Sequence, residues 1–212
     1  DGEMKRKDFS KLKIEVQKEK EHYFDHEDFI AGVAPFLRGI HSTMFLQTPL
    51  KITLLIESPI QENTTPEIEL ANFLTESFNH IQDCIQKNIA VDNAVLELTF
   101  QTTIGESHFE EIAKMRAARM LWAKMIKPFN PKNQDSLALS IHASVNNATN
   151  ASVAILGGCQ SLASKEASHL FFKEETSVLK TVDPWAGSFY IEKKTEYIVN
   201  EAWLLFQKAT NI

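Results

Sequence analysis

A histidine at the end of a predicted strand is the group in this sequence with the clearest capacity for chemistry. Ser136 to His142 alternates small polar and apolar residues, a pattern that predicts a β-strand. Parallel α/β proteins place functional groups at the carboxyl ends of their strands, so His142 is a candidate general acid or base. The alternative is a structural histidine whose ring is hydrogen-bonded within the fold.

Two other groupings have simpler explanations. His22 and His26 have the spacing of helical metal ligands, but they lie in a charged segment without a carboxylate frame, so we expect surface histidines. Gly157-Gly158 could admit the backbone of a ligand, but the commoner meaning of such a pair is the end of a helix. Neither grouping by itself indicates a site.

Two arginines lie three residues apart on one face of a long predicted helix. We expect Arg116 and Arg119 to be solvated helix charges, with Glu110 or Glu111 as partners. Glutamates near the start of a helix complement its dipole and need no catalytic explanation.

Composition excludes several classes of protein. The 212 residues are 43% hydrophobic and 24% charged, values typical of a globular domain, and contain no run of about 18 apolar residues that could span a membrane. The net charge of −6 disfavours binding to nucleic acid. Cys84 and Cys159 are too few for a zinc site or a disulfide framework, so we expect reduced cysteines in a cytoplasmic protein.

Strands and helices alternate from residue 51 onward, which predicts right-handed βαβ units and a parallel sheet. Four such units are half of an eight-stranded barrel. The predicted fold class is α/β: a partial (β/α) TIM-barrel-like domain over residues 31–212, preceded by a charged N-terminal arm over residues 1–30. We expect open sheet edges and an apolar inner face, which a partner must cover. The predicted strands are 52–56, 95–101, 137–142 and 159–162, and the predicted helices are 66–87, 107–127, 148–156, 165–177 and 193–210.

The longest predicted helix carries a family resemblance. Residues 109–124, FEEIAKMRAARMLWAK, resemble the barrel of the methylmalonyl-CoA mutase family. Further segments similar to this family are PFLRG at 35–39, STMF at 42–45, PKN at 131–133, GGCQSL at 157–162, EETS at 174–177 and VDPWAGSFYIE at 182–192.

The resemblance implies a reaction and a cofactor. Active members of the family isomerise methylmalonyl-CoA and succinyl-CoA with adenosylcobalamin, which a separate domain binds while CoA threads the barrel axis. By resemblance, His142 is the candidate catalytic residue, and Thr43, Gln160 and Ser161 are candidate substrate-binding residues. The sequence contains no Asp-x-His-x-x-Gly motif, so we expect no cofactor-binding or metal-binding residue here and adenosylcobalamin in a partner subunit.

Several positions depart from the family pattern. Thr48, Glu97, Asp135 and Ser140 align with basic residues of active subunits, and Glu97 and Asp135 reverse the charge. Losing a charge-assisted bond to a phosphate weakens binding by about 1.5–3 kcal/mol, and the reversed charge adds repulsion. We therefore interpret the chain as a non-catalytic small subunit that binds and stabilises a cobalamin-dependent catalytic subunit, without mutase activity or cobalamin of its own.

Two alternatives stay open. The chain could be an active acyl-CoA mutase chain or fragment that uses the barrel site, or a free-standing homodimer of half barrels that binds another small ligand. The expected partner is accordingly a large mutase subunit or a second copy of the chain. Nucleic acids and membranes are not expected partners.

Overall fold

The computed structural model describes residues 24–54, 64–164 and 178–211. The strands are β1 (Lys51–Leu54), β2 (Phe100–Thr103), β3 (Ile141–Val145) and β4 (Ser161–Ser164). The helices are α1 (Pro66–Gln86), α2 (Val91–Leu96), α3 (His108–Ile126), α4 (Ala148–Leu156) and α5 (Phe189–Thr210). Short 3-10 helices cover Met44–Leu46, Lys127–Phe129, Gln134–Leu137 and Val178–Lys180.

The four strands form one parallel sheet in the order β1-β4-β3-β2. Strands β2, β3 and β4 are neighbours in chain order, and β1 lies beside β4. A closed barrel joins its first and last strands in this way. Only residues 55–99 separate β1 from β2, and the described part of that stretch folds as α1 and α2. The predicted α/β, partial TIM-barrel-like fold is confirmed.

Helix α3 is the centre of the helical layer. Its buried residues lie around the whole circumference, because α1, α4 and α5 pack against it. Trp122 is fully buried and its indole N–H donates to the Ser136 carbonyl at 3.1 Å. This bond connects the helix to the segment that leads into β3.

The strand predicted at residues 95–101 is wrong in its first part. Val95 and Leu96 end helix α2, and the strand begins only at Phe100. Asp92, in the first turn of α2, accepts hydrogen bonds from the backbone N–H groups of Lys132 and Asn133 and from the Ser136 hydroxyl. These long-range bonds fix the segment as a helix, although its residues alternate as in a strand.

The third and fourth strands begin later than predicted. Residues 134–137 form a 3-10 turn, in which the Asn133 side chain accepts from the Asp135 N–H, so β3 covers 141–145. The Cys159 N–H donates to Ala154 O and closes α4, so β4 begins at Ser161. His142 is therefore the second residue of its strand, and the prediction that it ends the strand is wrong.

The helices agree better with the pattern. Helices α1, α3 and α4 lie within a residue of their predicted bounds, and α5 begins four residues early, at Phe189. The predicted helix at 165–177 and most of the N-terminal arm lie outside the described residues. The division between residues 1–30 and 31–212 stays a prediction. None of the described helices has the length and apolar character needed to cross a bilayer.

Candidate functional site

One face of the sheet is covered by helices and the other carries a row of polar side chains. Phe100, Ile141 and Leu162 are buried on the helical side. Their neighbours Gln101, His142 and Ser161 lie in register on the opposite side, level with Lys51 of β1, and are partly or fully exposed. The inner face is polar along this row, so the expectation of an apolar inner face is wrong. A row of donors and acceptors suits a polar chain-like ligand.

The candidate residues on β3 and β4 contact one another. His142 Nδ1 and Ser161 Oγ are 2.7 Å apart and share a hydrogen bond. Gln160 lies next to them, but its amide is used by the backbone: Oε1 accepts from the Ile141 N–H at 2.8 Å and Nε2 donates to Gly158 O at 2.8 Å. The bonds of Gln160 therefore fix the turn between α4 and β4.

Thr43 is separate from this group. Gln160, His41 and Thr48 help to line a small cavity of about 20 Å³, which is room for one water molecule. Thr43 is not among the residues that line it, and its carbonyl accepts from the Leu46 N–H at 3.1 Å in the adjoining 3-10 turn. The structure thus brings together His142, Gln160 and Ser161 but not Thr43.

The position of these residues along the strands limits their chemistry. His142 and Ser161 are the second and first residues of their strands, and Gln160 precedes β4. Barrel enzymes carry out catalysis at the opposite, carboxyl edge of the sheet. There the last residues of β2, β3 and β4 are Thr103, Val145 and Ser164, and none of these titrates near neutral pH. The described group is suited to hydrogen bonding at the amino edge.

The two acidic residues that the sequence analysis aligns with basic residues, Glu97 and Asp135, also lie on the amino-terminal side of the sheet. Glu97 is the C-terminal cap of α2, before β2, and Asp135 lies in the 3-10 turn before β3. Both side chains are exposed. A phosphate that approached this edge near Glu97 or Asp135 would meet negative charge, whereas exposed Lys51, the first residue of β1, is a cation at the same edge.

A buried cluster of charged residues was missed by the sequence analysis. Arg116 Nη2 donates to both carboxylate oxygens of Glu192 at 2.7 Å, and its Nη1 donates to Asp183. Arg38 reaches the same two carboxylates at 3.2 and 3.4 Å, and His26 Nε2 lies 2.8 Å from Glu192 Oε2. We call these five residues the arginine clamp. Arg116 and His26 are buried, so the predictions of a solvated arginine and a surface histidine are wrong.

The clamp sets the ionisation of Glu192. Burial alone would raise the pKa of this carboxyl, but the bonds from His26, Arg116 and the Gly187 N–H outweigh burial and lower the pKa from 4.5 to about 2. The carboxylate is therefore charged at any physiological pH. Three cationic or donor side chains and one backbone N–H surround it, which makes the clamp a structural element.

Arg119 lies beside the clamp and is also buried, contrary to the prediction of a solvated charge. It donates to Leu37 O from Nε at 3.2 Å and from Nη2 at 3.1 Å, and to Gly158 O at 3.4 Å. Burial, with repulsion from Arg116, lowers the pKa of Arg119 to about 10. Gly158 has φ +80°, and a Cβ there would lie 3.3 Å from Arg119 Nη1, so the glycine both ends α4 and makes room for the guanidinium.

Both cysteines are free and buried, as predicted. Burial raises the pKa of Cys159 to about 12, so this thiol is no nucleophile at neutral pH. Within the described ranges 24–54, 64–164 and 178–211, no group of three or more His, Cys, Asp or Glu residues could hold a metal ion.

Comparison with known sequences identifies the family. The family model described as methylmalonyl-CoA mutase matches residues 59–168 and 164–212. The methylmalonyl-CoA mutase large subunit of Porphyromonas gingivalis is 37% identical over an alignment of 180 residues that covers 70% of this chain and 25% of that protein. The large subunit of Streptomyces virginiae is 34% identical over 68% of this chain and 24% of its own length. The mitochondrial methylmalonyl-CoA mutase of Homo sapiens is 31% identical over 66% of this chain and 23% of its own length.

The family match covers β2, β3, β4 and helices α1 to α5, together with Arg116, Asp183 and Glu192 of the clamp. The chain spans about a quarter of the length of the curated relatives it matches. The chain belongs to the methylmalonyl-CoA mutase family.

Proposed function

We propose that the chain is a non-catalytic subunit of a methylmalonyl-CoA mutase assembly, which binds and stabilises a cobalamin-dependent catalytic subunit. The observation that carries the proposal is the placement of the polar group His142, Gln160 and Ser161 at the amino edge of the sheet. Thr103, Val145 and Ser164, the last residues of β2, β3 and β4, are not acids or bases, and the titratable groups that follow β2 at the carboxyl edge are the exposed Glu106 and the half-buried His108. In this proposal adenosylcobalamin is held by the partner, and the chain is cytoplasmic.

Among the described strands, β2 lies at one edge of the sheet, and this position supports an assembly role. Phe100 N–H donates to Ser140 O and Ile104 N–H donates to Ser144 O, so alternate residues of this strand face β3. Gln101 lies between them, and its backbone N–H points to the side away from β3. An exposed strand edge of this kind can accept a further strand from another chain.

The proposal predicts a complex that depends on this edge. The chain is expected to co-elute with the cobalamin-binding mutase subunit of its source organism in size-exclusion chromatography. Gln101→Pro removes the outward N–H and fixes φ at this residue, and it is expected to weaken the complex at least about tenfold, since a strand-edge bond and its neighbours are lost. Gln101→Ala keeps the N–H and is the matched control. A complex that both variants leave unchanged would place the interface elsewhere, and no complex at micromolar concentration would contradict the proposal.

The polar inner row favours a second candidate, an active chain that binds an acyl-CoA along the inner face. His142, Ser161 and Gln101 offer donors and acceptors in one row. Calorimetry with methylmalonyl-CoA separates the two functions, because Glu97 and Asp135 put negative charge at the amino edge. The wild-type chain is expected to give no binding heat.

A charge-reversed variant tests the physical reason for that result. Glu97→Arg with Asp135→Lys is expected to bind methylmalonyl-CoA detectably, since each new cation can make a charge-assisted bond of about 1.5–3 kcal/mol. Glu97→Gln with Asp135→Asn is the control that removes repulsion without adding attraction. Micromolar binding by the wild type would put the active chain ahead of the non-catalytic subunit.

A further inference from the structure

An aromatic cleft lies in the outer helical layer, away from the sheet and from the arginine clamp. The C-terminal halves of α1, α3 and α5, with the 3-10 turn after α3, enclose a cavity of about 450 Å³. This volume lies within the range of small-molecule sites, about 300–1,000 Å³. Its walls are four aromatic side chains with two polar groups among them: Phe78, Phe129, Trp203 and Phe206, with Gln82 and Lys124.

The aromatic rings pack against one another at an angle, so the cleft is lined by both ring faces and ring edges. Phe78 packs against Phe129 and Phe206, with ring centroids 5.8 and 5.7 Å apart. Trp203 packs against Phe206 at 5.0 Å. Rings that are held in place by their neighbours form a preorganised surface for a planar apolar group.

Lys124 brings a positive charge to this apolar space. Its Nζ lies 4.1 Å from the centroid of the Trp203 ring, so the ring face holds the ammonium at the cleft. In the part of the chain that the structure describes, no carboxylate pairs with this ammonium. Lys124 is exposed, and partial burial of its side chain lowers its pKa. An anion at this place would find a cation with few competing partners.

The half-buried Gln82 supplies a second polar group to the same cleft. A carboxylate next to Lys124 carries two acceptor oxygens, and an amide N–H is a suitable second donor. The four aromatic side chains and the two donors, Lys124 and Gln82, therefore match a small aromatic molecule that carries a carboxylate.

We propose that this cleft binds a small aryl carboxylate, with the aromatic body between the rings of Phe78, Phe129, Trp203 and Phe206 and the carboxylate beside Lys124. The ligand class follows from the aromatic lining, which another ring can contact edge-to-face, from the volume and from the cation at Lys124. The site lies on the outside of the partial barrel and is independent of the proposed subunit role.

Calorimetry of the full chain with naphthoate tests the proposal, and naphthamide serves as the neutral probe of the same shape. Naphthoate is expected to bind one-to-one and at least about tenfold more tightly than naphthamide, a difference of about 1.4 kcal/mol. Lys124→Gln is expected to weaken naphthoate about tenfold and to leave naphthamide unchanged. Lys127→Gln, at an exposed lysine that does not line the cleft, is the matched control and is expected to bind as the wild type.

A blocking variant checks the location. Gln82→Trp fills the cleft from the partly exposed side of α1, and it is expected to abolish binding while the melting temperature stays close to that of the wild type. Naphthoate that binds equally to the wild type and to Lys124→Gln would overturn the assignment of the carboxylate. Absence of binding up to millimolar naphthoate, or binding that survives Gln82→Trp, would overturn the site.

Discussion

Replacing Arg116 by methionine is expected to lower the free energy of unfolding by about 3–5 kcal/mol. The guanidinium is 1% exposed and holds Glu192 through two hydrogen bonds of 2.7 Å, with Asp183 on its other side. Methionine fills similar space but leaves two buried carboxylates short of their main cation. Removing one member of a buried ion pair is far more costly than exchanging the whole pair for apolar residues.

Urea unfolding followed by circular dichroism measures this loss. Lys194→Met is the matched control, because Lys194 pairs with Glu110 near the surface at 2.5 Å and such pairs contribute at most about 1 kcal/mol. Adding Glu192→Gln to Arg116→Met is expected to recover part of the stability, since one uncompensated charge disappears. If Arg116→Met unfolds within about 1 kcal/mol of the wild type, the clamp does not stabilise the fold.

Helices were predictable from the sequence because their ends carry local signals. Pro66 follows Thr65 at the start of α1, Pro128 follows α3, and Gly157 follows α4. Each signal acts within a few residues, so no knowledge of the rest of the chain is needed. The early start of α5 at Phe189 also has a local signal, with Ser188 at the N-cap and Glu192 in the first turn, which the predicted start at residue 193 did not use.

Strand bounds were not predictable in the same way. Val95 and Leu96 have strand-forming side chains, yet they end a helix because Asp92 is tied to Lys132, Asn133 and Ser136. Those partners are at least 40 residues away in sequence. Because a short strand has few residues, a shift of a few positions also moved His142 from the end of its strand to the beginning.

The arginine clamp shows why buried charges are hard to recognise. The residues around Arg116 in α3 do not distinguish a buried arginine from a solvated one. Its partner Glu192 is 76 residues away in sequence. The one available signal was the family resemblance, since PFLRG at 35–39, the α3 helix and VDPWAGSFYIE at 182–192 were all matched. The structure brings these three separate segments into contact, which gives a physical reason for the joint occurrence of the motifs.

The polar inner row was unpredictable for a different reason. Serine, histidine and glutamine on short strands could face either layer, and only the register across three strands puts Gln101, His142 and Ser161 on one side. An apolar inner face was therefore a reasonable expectation for an open half barrel. The observed polarity removes the hydrophobic need for a cover and leaves the β2 edge as the better-supported place for a partner.

The stability of the chain is expected to fall steeply in acid because of Glu192. The carboxyl has a pKa of about 2 in the folded chain and 4.5 as its ordinary value, so the unfolded chain binds the proton first. Its stabilising contribution is fully present above about pH 4.5 and is lost as the pH falls toward about 2. The shift corresponds to at most about 3 kcal/mol, at 1.36 kcal/mol per pH unit.

Other carboxyls contribute to the pH dependence, so a comparison of variants is required. The pKa of Asp92 is also lowered, chiefly by the hydrogen bond from Ser136, so this carboxyl likewise loses stabilising contribution as the pH falls. Burial raises the pKa of Glu111, so protonation of this carboxyl at low pH favours the folded chain. The informative quantity is therefore the difference in unfolding free energy between the wild type and Glu192→Gln at each pH.

That difference is expected to be up to about 3 kcal/mol at pH 7 and to shrink toward zero between pH 4.5 and 2, because the protonated glutamate and the glutamine are both neutral. Urea unfolding at half-unit steps of pH measures it. Glu201→Gln, at an exposed position on the same helix, is the control and is expected to follow the wild-type curve. A Glu192→Gln curve that runs parallel to the wild type from pH 7 to pH 2 would show that the clamp does not hold this carboxylate ionised, and the charge balance assigned to Arg116, Arg38 and His26 would then be wrong.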